Sequence, residues 1–129
     1  MYCRSGHPAL HTPQDETTLS QYEFALLLPE GQRYPTLHRR LQEEMGERRC
    51  GFSTFNLLTQ AAMIAQSDML GLTTERLFTT VSRLWPLQIL DYPSLQDEKI
   101  DVALLYNKQS GKEPLLKEII ETVLQAFRA

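Results

Sequence analysis

The sequence is poor in the residues that build disulfide frameworks and metal sites. Its 129 residues include only two cysteines, Cys3 and Cys50, and three histidines. Neither cysteine belongs to a CxxC motif or to a Cys/His cluster with the spacing of metal ligands. Pro8 lies between His7 and His11 and favours a loop there, so these two histidines are not expected to share a helix face. We therefore expect two free, buried thiols, with no disulfide and no metal site.

The sequence also lacks an excess of basic charge and a long apolar run. Thirteen Lys and Arg are interleaved with sixteen Asp and Glu, and the net charge is −3. A domain that contacts DNA usually shows a basic stripe, so this balance gives no electrostatic reason to expect DNA binding by this chain. No apolar run is long enough to span a membrane, and the amino terminus lacks the apolar core of a signal peptide. The expectation is a cytoplasmic domain with no membrane partner.

The known catalytic motifs are missing as well. There is no GxSxG elbow, no P-loop and no GxGxxG. A Ser or Thr nucleophile needs a base and a group that orients that base, and none of the histidines has a recognisable partner. Asp68 and Asp101 are isolated carboxylates. We expect no catalytic residue and no cofactor. A small α/β enzyme remains an alternative, which a hydrolase screen would support if it showed turnover that is lost in Ser53→Ala.

What the sequence does contain is an alternation of strand-like and helix-like segments. The apolar run at 22–28, "YEFALLL", predicts a buried strand. The segment 35–45 predicts a helix, with Pro35 in the first turn, Gly46 as carboxyl-terminal cap and a solvated charged face. "KIDVALLYNK" predicts a central strand, and an amphipathic helix opens at Pro114. This alternation predicts an α/β fold with a largely parallel or mixed sheet.

Hydroxyl residues mark the ends of the apolar runs between 51 and 77, "GFSTFNLLTQAAMIAQSDMLGLTTERL". This stretch predicts a short strand, a nearly all-apolar and therefore buried helix at about 55–66, a strand at 69–72, and a helix capped by one of the two threonines that follow. We expect Thr54 to cap the first helix. The free amide groups of a helix start also bind anions, so cap and ligand holder are compatible roles.

The order of these segments resembles the carboxyl-terminal part of a LysR-type transcriptional regulator. Four stretches carry the resemblance, and together they span nearly the whole chain: "RSGHPAL", "LSQYEFALLLPEG", "FSTFNLLTQAAMIAQSDMLGLTTERL" and "VALLYNKQSGKEPLLKEIIETV". They are similar to segments of the family's effector-binding domain, and they occur in the same order and with similar spacing.

The resemblance implies a periplasmic-binding-protein-like (type 2) fold, in which two α/β subdomains are joined by crossover strands. This chain would hold the second subdomain, about 5–98, the crossover strands 1–4 and 99–106, and a carboxyl-terminal helix, 107–129, that belongs to the first subdomain. DNA would be contacted only through a winged helix-turn-helix that is absent from this chain. The family's equivalent of the helix at 35–45 contributes to a dimer face, so a homo-oligomer is expected.

The resemblance also implies a binding site for a small-molecule effector in the cleft between the subdomains. Ser53, Thr54 and Phe55, at the start of the apolar helix, would hold a carboxylate or phenolic oxygen and supply apolar contact. Leu72 and Thr73 would face the same cleft. The family often has Leu-Pro where this sequence has Thr73 and Thr74. The loop here therefore departs from the family pattern.

The function that follows is the sensing of a small inducer, aromatic or carboxylate, to control transcription. The alternatives are a stand-alone small-molecule binding module of periplasmic-binding type and a degenerate regulator fragment. A monomer that gains thermal stability with an aromatic acid would favour the binding module, since a ligand that binds only the native state raises stability. A stop codon directly upstream of the chain would favour the degenerate fragment.

Overall fold

The computed structural model describes residues 1–96, 99–100 and 102–128, which fall into two units, Met1–Lys99 and Ile100–Ala129. The helices and strands of the first unit are, in chain order, β1 (Tyr2–Arg4), α1 (Glu16–Leu19), β2 (Phe24–Leu27), α2 (Glu30–Arg33), α3 (Pro35–Met45), β3 (Cys50–Thr54), α4 (Leu57–Ala65), α5 (Glu75–Val81) and β4 (Leu87–Ile89), with 3-10 turns at Pro8–His11 and Pro93–Leu95. The second unit holds a 3-10 turn, Ser110–Lys112, and α6 (Pro114–Arg128).

The sheet of the first unit is mixed. β2 and β3 are parallel, whereas β1 and β4 are antiparallel. A two-residue segment joins the two pairs, because Leu70 bridges to Phe24 in parallel and Gly71 bridges to Tyr2 in antiparallel. The order across the sheet is therefore β4, β1, the Leu70–Gly71 segment, β2 and β3. The α/β alternation and the mixed sheet predicted from the sequence are confirmed, but the strand expected at 69–72 is reduced to these bridges.

The parallel part of the sheet determines where the chain turns toward the predicted binding residues. β2 and β3 end side by side, with Leu26 opposite Ser53 and Leu27 opposite Thr54. The chain after Gly71 leaves the sheet in the same direction, since its bridge to β2 is parallel. We call the ends of β2 and β3 and the residues that follow Gly71 the carboxyl edge. In α/β sheets this edge is the usual place for a ligand.

One core cluster of the first unit lies between the sheet and α4. Its fully or almost fully buried side chains are Tyr2, Ala25, Ala61, Ile64, Val81 and Leu87. α4 is shorter than the predicted helix. It is also less buried than predicted, because only its side bearing Gln60, Ala61 and Ile64 faces the sheet. Leu58 and Met63, on its other side, are exposed. The nearly all-apolar composition of this segment thus wrongly predicted a fully buried helix.

Gln60 is the polar member of this core. Its Nε2 donates to the carbonyl oxygen of Ala25 at 2.8 Å, and its Oε1 accepts from the Tyr2 hydroxyl at 3.0 Å. Burial raises the pKa of Tyr2 above its usual value, so this phenol stays protonated and remains a donor. A single amide side chain therefore joins β1, β2 and α4.

Replacing Gln60 with leucine is expected to lower the free energy of unfolding by about 2 kcal/mol, because a buried hydroxyl and a buried carbonyl lose their partner. Urea denaturation followed by circular dichroism measures this loss. The control is Gln66→Leu at the exposed end of α4, which should change stability by less than about 0.5 kcal/mol. Equal stabilities of the two variants would show that the Gln60 hydrogen bonds contribute little.

α3 matches its sequence prediction at both ends. It begins at Pro35 and ends at Met45, and Gly46 follows with a φ of 74°. Its charged face is largely exposed, as predicted, and the Glu44 carboxylate on this face accepts hydrogen bonds from the hydroxyls of Tyr92 and Ser94. These bonds hold the pKa of Glu44 below its usual value and fix α3 to the segment after β4.

The central strand predicted within 99–106 is not formed in the part of that segment that the structure describes. Residues 102–107 carry no strand, and Asp101, a carboxylate considered in the sequence, lies outside the described residues. β1, the other predicted crossover strand, already pairs on both edges, with β4 and with Gly71. Tyr2 is therefore paired on both sides. The assignment of 5–98 to a second subdomain and of 107–129 to a first subdomain stays a prediction.

The second unit consists mainly of α6, which starts at Pro114 as predicted. No residue of α6 is fully buried. The predicted apolar face of the helix is half-buried apart from the exposed Phe127. Among the described residues, no helix combines the length and the apolar character that crossing a membrane requires.

Candidate functional site

The predicted effector residues of β3 lie at the carboxyl edge. Ser53 is exposed and Thr54 is half-buried at the end of the strand. Phe55, in the turn that follows, exposes 73% of its surface. An exposed hydroxyl and an exposed aromatic ring therefore lie two residues apart in the chain just before α4.

The cap of α4 is Asn56, not Thr54 as the sequence predicted. The Asn56 Oδ1 accepts from the backbone amides of Leu58 and Thr59 at 2.8 and 3.2 Å. Thr54 still belongs to β3, because it pairs with Leu27, and the chain needs two more residues to turn into the helix. The Thr54 hydroxyl instead accepts from the amide of Asn56 at 3.1 Å. An anion at this helix start would share the amides with the Asn56 side chain.

The second pair of predicted residues reaches the same edge from the other side of β2. Leu72 is buried, with 3% of its surface exposed. Thr74, rather than Thr73, caps α5 by accepting from the amide of Leu77 at 3.3 Å. The hydroxyl oxygen of Thr73 is buried and has no hydrogen-bond partner among the described residues. Leaving such a group unpaired costs about 1–3 kcal/mol, so this hydroxyl is a candidate for a partner that binds here.

A depression of about 430 Å³ lies at the opposite edge of the sheet, where β2 and β3 begin. Its lining is polar and includes both signs of charge: Gln21, Tyr22, Glu23, Arg49, Gly51, Ser67, Asp68 and Met69. Asp68 there accepts from Nε and Nη2 of Arg4, at 3.0 and 2.8 Å. The sequence treated Asp68 as part of a turn and gave no signal for this depression.

The histidine nearest to this depression has a structural role. The Nδ1 of His7 accepts from the amide of Ala9 at 2.9 Å, so the ring proton lies on Nε2. This nitrogen contacts the carbonyl oxygen of Asp68, also at 2.9 Å. The ring is fully buried and packs edge-on against Tyr22, with centroids 4.7 Å apart. His7 therefore fixes the turn after β1 to the turn after α4.

The thiols differ in environment. Cys3 is buried, as predicted, and burial raises its pKa to about 11, which keeps it protonated. Cys50 is exposed, so the prediction of a buried thiol was wrong there, because β3 is the outermost strand of the sheet. Among the described residues, no group of three or more His, Cys, Asp or Glu side chains is arranged to hold a metal ion.

A buried cluster of charged side chains was missed by the sequence reasoning. Glu30 and Arg48 each expose only 5% of their side chains and form an ion pair, with Arg48 Nη1 at 3.2 Å from Glu30 Oε1. His38 Nδ1 lies 2.9 Å from Glu30 Oε2. The Arg48 guanidinium also lies over the ring of Phe24, 5.2 Å from its centroid. The cluster fixes the segment that follows β2, where the chain leaves the carboxyl edge.

Comparison with known proteins gives one informative relative. No family model matches the chain. Over 127 residues, 98% of the chain, it is 40% identical to the uncharacterized HTH-type transcriptional regulator YbeF of Escherichia coli (strain K12). The chain is a homologue of a transcriptional regulator. It spans 40% of the length of that relative, which is less than half. The likeness supports a regulatory role.

Proposed function

We propose that this chain is the effector-sensing part of a LysR-type transcriptional regulator. The observation that carries the proposal is its 40% identity, over 98% of its length, to an HTH-type regulator. The order of motifs in the sequence, which resembles that of the LysR effector-binding domain, supports the choice of the LysR type. The charge of −3 agrees with a sensing part that leaves DNA binding to a winged helix-turn-helix outside these residues.

The ligand in this proposal is a small aromatic carboxylate at the carboxyl edge. The exposed ring of Phe55 offers apolar contact, and the hydroxyl of Ser53 beside it can donate to a carboxylate oxygen. The amides at the start of α4 favour negative charge. The unpaired hydroxyl of Thr73 lies at the same edge, next to Leu72. These groups suit a ligand with one charged end and one flat apolar end.

Binding would act on transcription by shifting a conformational equilibrium. A ligand that contacts both this edge and the rest of the regulator favours the conformation in which these two parts close around it. Such a shift would move the DNA-binding parts of an oligomer relative to each other. α3, which presents a charged face, is the proposed contributor to that oligomer, as the resemblance implies.

Thermal unfolding with and without benzoate tests the ligand site. At a concentration of about 100 times the dissociation constant, benzoate should stabilise the chain by about 2.7 kcal/mol and raise Tm by several degrees. Phe55→Ala should abolish the rise in Tm without lowering Tm itself, because the Phe55 side chain is mostly exposed. Leu84→Ala is the control, since Leu84 is an exposed apolar residue beyond the end of α5.

A rise in Tm that persists in Phe55→Ala would contradict the site, whether or not Leu84→Ala keeps the rise. No rise with benzoate at millimolar concentration, but a rise with an aliphatic carboxylate such as acetate, would contradict the aromatic part of the ligand only. No rise with either compound would contradict effector binding by this part of the regulator.

A further inference from the structure

Arg33 places a positive charge at the carboxyl edge, next to the end of β3. It is an exposed residue in the last turn of α2, the short helix that follows β2. Its Nε donates to the carbonyl oxygen of Leu28 at 3.1 Å. The amide of Leu28 in turn donates to the carbonyl oxygen of Thr54 at 2.8 Å. Because both bonds involve the backbone of Leu28, the guanidinium lies only a few residues from Phe55, the aromatic member of the proposed site.

The outer nitrogens of this guanidinium are available to a ligand. Within residues 1–96, 99–100 and 102–128, neither Nη1 nor Nη2 of Arg33 has a hydrogen-bond or ion-pair partner. The guanidinium is planar and rigid, so a bond at Nε restricts where its two outer nitrogens can lie. Paired N–H groups of this kind donate in parallel to the two oxygens of a carboxylate, which is the strong form of this contact.

The other charged side chains of the carboxyl edge leave this role to Arg33. Glu30, in the same helix, is buried in the charged cluster described above and does not neutralise it. Segment 53–58 contains no charged residue. On the other side of β2, the first turn of α5 carries the acidic Glu75, and Arg76 beside it already has an interaction partner. The negative end of a ligand is therefore favoured on the side of β3.

We propose that Arg33 binds the carboxylate of the effector and makes the site select an anion over a neutral analogue. This inference rests on the proposed function, because it concerns the same ligand. The Ser53 hydroxyl can donate to a carboxylate, an amide or a phenol, so it does not distinguish them. A guanidinium does so by charge, and a phenol with a pKa of about 10 stays neutral at pH 7. The selection thus decides between the carboxylate and the phenolic oxygen that the sequence left open.

Dissociation constants of benzoate and of benzamide, measured by amide chemical-shift titration of the full 129-residue chain, test the proposal. The two ligands share the aromatic ring and differ in charge. The unsubstituted chain should bind benzoate about fivefold more tightly, the upper part of the usual effect of one solvent-exposed charge pair. Arg33→Gln should weaken benzoate by about the same factor and leave benzamide unchanged, so that the preference for the anion disappears.

Arg39→Gln is the matched control. Arg39 is exposed on the charged face of α3, and its replacement removes the same charge from the chain. This variant should keep the fivefold preference, which separates a contact with the ligand from a general effect of net charge. Because Arg33 is exposed, Arg33→Gln should keep the circular dichroism spectrum of the unsubstituted chain.

The outcomes separate the role of Arg33 from the proposed function. Benzoate binding that is equally strong in Arg33→Gln and Arg39→Gln would overturn the role of Arg33 and leave the effector site standing. Equal weakening of benzoate and benzamide in Arg33→Gln would also overturn it, because the effect would not depend on charge. Binding of neither ligand to the unsubstituted chain would contradict the proposed function, and the role of Arg33 with it.

Discussion

Replacing Gly71 with alanine is expected to lower the free energy of unfolding by about 3 kcal/mol, the upper part of the usual range for overpacking a core. A Cβ atom at this position would lie 2.4 Å from Ile64 Cδ1, 3.1 Å from Tyr2 Cε1 and 3.3 Å from Gln60 Nε2. The segment cannot move away, because Gly71 exchanges two backbone hydrogen bonds with Tyr2. Urea denaturation monitored by circular dichroism gives the stability difference.

Gly31→Ala is the matched control for Gly71→Ala. Gly31 is exposed in α2, and the nearest atom to its added Cβ belongs to the His38 side chain at 3.4 Å. Alanine is favoured over glycine within a helix by up to about 1 kcal/mol, so the control should be neutral or slightly stabilised. A stability for Gly71→Ala within about 0.5 kcal/mol of the unsubstituted chain would contradict the packing described between the Leu70–Gly71 segment and α4.

Replacing Arg48 with methionine is expected to lower the free energy of unfolding by about 3–5 kcal/mol at neutral pH. The substitution leaves the buried Glu30 carboxylate with His38 alone as a side-chain partner, and it removes the guanidinium that covers the ring of Phe24. Removing both charges in the double variant Arg48→Met/Glu30→Met should recover much of the loss, since no unpaired charge remains. Chemical denaturation of the single and double variants measures both effects.

Arg4→Met is the control for this ion pair. Arg4 contacts Asp68 at 2.8 Å, but the two side chains are 31% and 56% exposed, so solvent screens the pair. Its loss should cost less than about 1 kcal/mol. If Arg4→Met and Arg48→Met lose the same stability, or if the double variant is no more stable than Arg48→Met, burial does not determine the contribution of the Glu30–Arg48 pair.

The elements that the sequence predicted well are those whose ends depend on local backbone preferences. Pro35 and Gly46 bound α3 because proline suits a first helical turn and glycine accepts a positive φ. The start of α4 was misplaced for the opposite reason. Thr54 has the chemistry of a cap, but its pairing with β2 keeps it in the strand, and that pairing is a tertiary contact that no local pattern reveals.

Tertiary contacts also explain what the sequence missed at longer range. Glu30 and Arg48 are separated by 18 residues, and nothing in either segment indicates that both are buried. The apolar, β-prone residues of 102–106 predict a strand, but none of the described strands pairs with this segment. Within the predicted site, the position of Ser53 and Thr73 at the same edge of the sheet follows from parallel strand order. The burial of the Thr73 hydroxyl does not.

The central claim is that the carboxyl edge of the sheet binds a small aromatic carboxylate, and amide chemical-shift mapping tests it most directly. Benzoate is titrated into the ¹⁵N-labelled chain, and shifts of each backbone amide are followed by NMR. We expect the largest shifts at 53–58 and 72–74, where the exposed ring of Phe55 and the capped start of α4 lie. Saturable shifts centred instead on the depression lined by Glu23, Gly51 and Asp68, or no saturable shifts at all, would contradict the account.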